Sequence, residues 1–135
     1  MAELVVAKEA AEADFERLCA LRRLDIDESG MTEKDLATLA KMRARVVKEI
    51  SLGHLIVDDA GIATYTPPVE GAKPLVFRMS KASTLIARDE AQAKGDQAQM
   101  IAMIAELTGW SKGDISRLAT PDYLFCSLLV GLFLG

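Results

Sequence analysis

Residues 54–66 read His54-Leu55-Ile56-Val57-Asp58-Asp59-Ala60-Gly61-Ile62-Ala63-Thr64-Tyr65-Thr66. On either side of them, apolar residues recur with the period of a helix. Within them the period drops to that of short extended runs, 54–57 and 62–66, rich in β-branched residues. The intervening Asp58-Asp59-Ala60-Gly61 has the residue types of a tight turn, so the stretch predicts a β-hairpin. Pro67-Pro68 ends the pairing, because proline has no N–H to give to a ladder. Residues 69–74 are a loop carrying Gly71 and Pro74, and the run through Leu75-Val76-Phe77-Arg78-Met79 is a candidate third strand.

Working outward toward the start of the chain, residues 33–51 predict a helix whose apolar stripe is Leu36, Leu39, Ala40, Val46, Val47 and Ile50. Thr32 with Asp35 three positions on makes a near capping box at its start, and Gly53 is a C-terminal stop. Residues 7–24 predict an earlier helix with Ala11, Phe15, Leu18 and Arg22 on one face and Cys19 beside them. The acidic stretch Asp25-Ile26-Asp27-Glu28-Ser29-Gly30 separates the two.

Toward the other end, Ser80 is placed to cap a helix over 81–94 that Gly95 stops. Asp96 can cap the next, 97–108, with Met100, Ile101, Ile104 and Leu107 as its stripe. Gly109 ends that helix. Ser111 with Asp114 opens a short one through Leu118, and Thr120-Pro121 begins the last. The predicted fold class is α+β, mostly α. An N-terminal helix pair (1–53), a small antiparallel β element (54–79) and a C-terminal cluster of short helices (80–135) share one domain, as 135 residues allow.

Composition narrows the function classes. Half of the residues are apolar and only 5% aromatic, and 16 Lys+Arg against 20 Asp+Glu give a net charge of -4. The chain lacks the overall basic field of a nucleic-acid binder. Cys19 and Cys126 are far apart, with no Cys-x-x-Cys unit, so neither a disulfide framework nor a zinc ribbon fits. They read as buried thiols in a reducing cytoplasm. Met1-Ala2-Glu3-Leu4 lacks the basic start of a secretory signal.

Three clusters have residue types that could do chemistry. Asp25, Asp27, Ser29 and Gly30 match the start of an EF-hand loop, but the bidentate acid at its twelfth position falls on Leu36, which cannot hold calcium. Lys41, Arg45 and Lys48 line one helix face with Arg43 nearby, and Arg22-Arg23 could extend it, yet no aromatics interleave with them. The single histidine, His54, could act as a base only with a nucleophile and an orienting acid; Asp58 and Asp59 are its sequence neighbours. No phosphate-binding loop, metalloprotease or nucleophile-elbow motif occurs. The reading is of a protein with no catalytic residues, no metal and no cofactor. A small calcium- or nucleic-acid-binding regulatory module is kept as the alternative.

The last helix departs furthest from an ordinary pattern. Tyr123, Leu124, Phe125, Leu128, Leu129, Leu132 and Phe133 cover more than one face, whereas a surface helix buries a stripe little wider than 100°. A run from Tyr123 to Leu134 rises about 18 Å, short of the ~30 Å a membrane span requires. Either this helix is the centre of the fold or another chain covers part of it. These seven residues are the candidate partner-binding set.

From Leu75 onward a family pattern is present. The run Leu75-Val76-Phe77-Arg78-Met79 leads into a helix and then Gly95-Asp96-Gln97. Next come Ile101-Ala102-Met103-Ile104-Ala105-Glu106-Leu107-Thr108-Gly109-Trp110, Ile115-Ser116-Arg117-Leu118 and Pro121-Asp122-Tyr123. Over about 60 residues this resembles the small tail assembly chaperones of long-tailed bacteriophages, including the short Mu-like and P2-like proteins. Their strand closes on an Arg, and a helix ending in Leu-Thr-Gly precedes a short helix and an Asp-Tyr or Asp-Phe start to the last helix. Two features depart from the pattern. Met79-Ser80 stands where a proline often follows the Arg, and the short members do not require the 1–53 helix pair. The resemblance implies a non-enzymatic protein of the host-cell cytoplasm that binds the long helical tape measure protein before the tail tube polymerises. It further implies self-association on that partner and absence from the mature virion.

Overall fold

The computed structural model describes residues 5–24 and 26–134; Met1 to Leu4 and Asp25, which carried parts of the signal-sequence and calcium readings, lie outside them. Among the described residues α1 (Lys8–Leu21) and α2 (Glu33–Ser51) form the helix pair, and β1 (Leu55–Val57), β2 (Ala63–Tyr65) and β3 (Leu75–Phe77) form the β element. Four helices follow: α3 (Ala82–Glu90), α4 (Asp96–Thr108), α5 (Lys112–Ser116) and α6 (Thr120–Leu134). The fold is α+β and mostly α.

Local chemistry explains the element starts. At α2 the Thr32 hydroxyl accepts from the Asp35 N–H at 3.1 Å, and the Asp35 carboxylate accepts from the Thr32 N–H at 3.3 Å. This is the reciprocal box the spacing predicted. Ser111 likewise accepts from the Asp114 N–H to open α5. Three starts differ: Lys81, not Ser80, sits at the N-cap of α3, where Thr84 accepts from its N–H at 3.2 Å; Gly95, not Asp96, precedes α4; and Thr120 is already within α6. Helix α3 ends at Glu90 and tightens into a 3-10 turn over Gln92–Lys94.

The sheet is an antiparallel meander in the order β1-β2-β3, with Leu55 opposite Tyr65 and Tyr65 opposite Leu75. The Asp58 carboxylate accepts from the N–H groups of Ala60 and Ile62, both at 2.9 Å, which holds the turn closed. Gly61 has φ +83, and a Cβ there would meet the Leu21 Cβ at 2.8 Å, so the turn packs on α1 only as glycine.

One sheet face, Leu55, Val57, Ala63, Tyr65, Leu75 and Phe77, is buried. It packs on α6: the Tyr65 and Phe125 rings are 4.7 Å apart, and Phe77 and Phe133 lie 6.1 Å apart edge to face. Helix α1 contributes Ala11, Phe15 and Leu18 to the same core, α2 contributes Val46, Val47 and Ile50, and α4 contributes Ile104 and Leu107.

The end of β3 and the end of α4 meet in space. The Arg78 N–H donates to the Leu107 carbonyl at 3.1 Å, its Nε to the same carbonyl at 3.0 Å, and its guanidinium to the Glu106 carbonyl at 2.8 Å. These carbonyls end α4, where a cation also suits the negative end of the helix dipole. Gly109 turns the chain out at φ 77, next to that guanidinium. The Arg after the strand and the Leu-Thr-Gly helix end are therefore two halves of one structural joint.

Candidate docking surface

Helix α6 is the centre of the fold. Phe125, Leu129, Leu132 and Phe133 are buried in the chain's own core, which corrects their assignment to a free partner-binding face. The physical reason is that the sheet meets this face through the Tyr65–Phe125 and Phe77–Phe133 ring pairs, α4 packs along α6, and Arg45 of α2 lies over the Phe125 ring, so the chain itself covers it. The rest of the set stays accessible: Tyr123 and Leu128 are half-buried, and Leu124 is 58% exposed. Leu124, Leu128, Gly131 and Leu134 lie at i, i+4, i+7 and i+10 along an outer row, and no residue from Tyr123 to Leu134 is charged.

Near the end of α6 this row runs into an open cleft of about 660 Å3. One wall is the first half of α2, with Asp35, Thr38, Leu39 and Met42. The other is the last turn of α6, Gly131 to Leu134. The connection between α1 and α2 closes the end with Leu24, Ile26 and Met31. The predicted stripe of α2 is thus divided: Val46, Val47 and Ile50 are buried, whereas Leu39 is half-buried and Leu36 is 39% exposed. A 19-residue helix is about 28 Å long, and a sheet of three three-residue strands extends about 10 Å along its strands. The core layer is too short to cover all of α2.

Arg22, at the end of α1, is only 7% exposed. Its guanidinium donates to the carbonyls of Gly61 at 3.0 Å, Phe77 at 3.0 Å and Arg78 at 2.6 Å, and lies 3.7 Å from the centre of the Phe133 ring. It makes no ion pair with a described residue. Burial pulls its pKa down to about 10. The residue predicted on the apolar face of α1 is therefore the tie between α1, the hairpin turn, β3 and α6. Periodicity located it, but only the fold shows what its donors meet.

Several other candidate residues are engaged within the chain. His54 Nδ1 lies 2.6 Å from the buried Glu49, which also accepts from Arg45 at 3.0 Å; Asp58 is committed to the turn and Asp59 pairs with Arg17. The Glu49 partnership was missed because Glu49 falls on a helix turn that reads as solvated. Arg43 pairs with Glu16, so two cations of the basic face are matched by acids of their own chain. Asp27 accepts from the Ser29 N–H at 2.9 Å and hydroxyl at 2.6 Å, bonds that hold its carboxyl below the usual range. Among the described residues no group of three His, Cys, Asp or Glu side chains could hold a metal ion. Burial pushes the Cys19 thiol up to about 11 and the Cys126 thiol up to about 12, which keeps both protonated and unreactive near neutral pH. No described helix is long and apolar enough to cross a membrane.

Comparison with family models, with curated proteins and with solved structures finds no match to this chain.

Proposed function

We propose that this chain is a phage tail assembly chaperone, which covers apolar stripes of the tape measure protein until the tail tube polymerises around it. The observation that carries the reading is the uncharged outer row of α6, with Leu124 exposed and Leu128, Gly131 and Leu134 leading into the cleft. In water such a row is stabilised by burial against another apolar surface, at about 25 cal/mol per Å2 covered. The resemblance over residues 75–135 supplies the kind of partner: an elongated helix that many copies cover side by side. Individually modest contacts then sum by avidity, while each copy remains displaceable by a tube subunit. An acidic surface keeps the loaded chaperone soluble in the host-cell cytoplasm.

Co-expression with the tape measure protein encoded beside it tests the reading. The two are expected to co-purify as an oligomer, and Leu124→Asp, an exposed position, is expected to reduce capture while preserving the fold. A monomer that captures no tape measure protein overturns it.

A further inference from the structure

We infer that the cleft between the first half of α2 and the last turn of α6 is a seat for one amphipathic helix of a partner, and that its mouth selects a helix flanked by Lys or Arg. The inference rests on the reading above of a protein that covers apolar helices, and it identifies where one such helix sits and what charge it carries.

Two sets of observations define the occupant. The apolar lining is incompletely covered: Leu24, Ile26, Met31, Leu39 and Met42 are each half-buried around the cleft. At Leu39 and Met42 the α2 wall presents apolar residues three apart, a spacing that meets the i, i+3, i+4 stripe of a second helix. The wall from α6 carries no charge. An occupant facing both walls therefore needs an apolar stripe, and a helix supplies one while keeping its own backbone hydrogen bonds satisfied.

Charge then narrows the class. Among the described residues, the charged ones lining the cleft are Asp27, Asp35 and Arg23. Neither acid forms an ion pair with a described residue; Asp27 is bonded to Ser29 and Asp35 to the start of α2. The adjoining hollow, which shares Leu24, Ile26 and Leu39 with this cleft, is bordered by Glu28 and by Arg43 paired with Glu16. An acidic rim over an apolar floor favours a stripe flanked by cations and repels one flanked by acids. A second copy of α6 fits less well, because that helix brings no cation to the rim.

The test uses the full chain and a defined probe: a capped peptide of about 14 residues, roughly four turns, with Leu at helical i, i+3, i+7 spacing and Lys on both flanks. A second peptide has Glu in place of each Lys. Binding is read by fluorescence anisotropy, with circular dichroism and melting to confirm the fold of each variant. The Lys peptide is expected to bind, more weakly at high salt, and the Glu peptide to bind at least about tenfold less tightly. Thr38→Trp, which fills the cleft from an exposed position, and Asp27→Lys with Asp35→Lys are each expected to weaken the Lys peptide by about tenfold. Equal binding of the two peptides, or Lys-peptide binding unchanged in Thr38→Trp, overturns the inference. So does a Thr38→Trp chain that loses self-association but keeps the peptide, since the cleft then belongs to a second copy. Tape measure capture is measured in parallel with the same variants. Capture that survives when the cleft is blocked sinks this seat and leaves the chaperone reading standing. Cleft-dependent peptide binding without tape measure capture does the reverse.

Discussion

Along α6, Phe125, Cys126, Leu129 and Val130 are at most 1% exposed, while in the first half of α2 Leu36 is 39% exposed and Leu39 and Met42 are half-buried. Both segments carry residues of a predicted apolar stripe. Their different fates follow from how many neighbours can reach them. Helix α6 is met by the sheet and α4, and Arg22 lies against its last turn through Phe133. Helix α2 outruns the small sheet, and its first half is left with α1 on one side and an open cleft on the other. Apolar content thus sets how much surface seeks burial, and the size of the core layer sets how much of it finds a partner within the chain.

The sharpest way to break this comparison is to truncate one residue from each segment. Leu129→Ala is expected to cost about 2–5 kcal/mol in urea denaturation, whereas Leu39→Ala should cost under about 1 kcal/mol. Leu129→Asp, which places a charge at a fully buried position, should abolish the cooperative transition altogether. Similar costs for the two Ala variants would mean that the first half of α2 is as well packed as α6.

Arg22 offers the next largest effect. Replacing it with Met keeps an apolar contact with Phe133 but leaves the Gly61 and Phe77 carbonyls without their buried donor. The expected loss is about 3 kcal/mol, and Lys should rescue only part of it because one ammonium cannot reproduce the planar fork. Full stability in the Met variant would mean that α6 is held by apolar packing alone.

Alkaline pH probes the same core without a mutation. Burial, a hydrogen bond to Asp122 and nearby negative charges raise the Tyr65 hydroxyl, and burial raises both thiols. In each case the unfolded chain releases its proton first, so stability present below about pH 9 is lost as pH rises toward 11 and 12. Thermal melting from pH 7 to 11 should therefore show a decline from about pH 9, flatter in Cys126→Ala. A profile that rises with pH contradicts the burial of these groups.

The smallest effect lies at the exposed start of α2. Thr32→Ala removes the hydroxyl that accepts from the Asp35 N–H and should cost about 1 kcal/mol. The same change should loosen the acidic rim that Asp35 helps to form, seen as faster amide exchange over the first turn of α2.

Much of this molecule was legible from its residues. The hairpin at Asp58 to Gly61, the box at Thr32 and Asp35, and the helix end at Gly109 depend on bonds between residues a few positions apart, so local spacing contains them. The start of α3 was misplaced by one residue: no N-cap side chain bonds the first turn, and instead Thr84, inside the helix, accepts from the N–H of Lys81. The stripe of α4 lies partly around the helix from its predicted place, with Ala102 and Met103 buried and Met100 and Ile101 half-buried. Small and flexible side chains tolerate either side of an interface, and the neighbouring elements decide which side is covered.

For the candidate site the division is sharper. Residue order alone shows that α6 carries more apolar surface than one stripe requires, and that Arg22 falls in line with the apolar face of α1. It took the packing of distant segments to turn Phe125, Leu129, Leu132 and Phe133 inward, to make Arg22 the tie between α1, β3 and α6, and to leave Leu39 and Met42 beside an open cleft. The reason is physical. Helix periods and caps are set by interactions within a few residues, whereas burial depends on which distant segments arrive to share the surface, and on whether they are large enough to cover it.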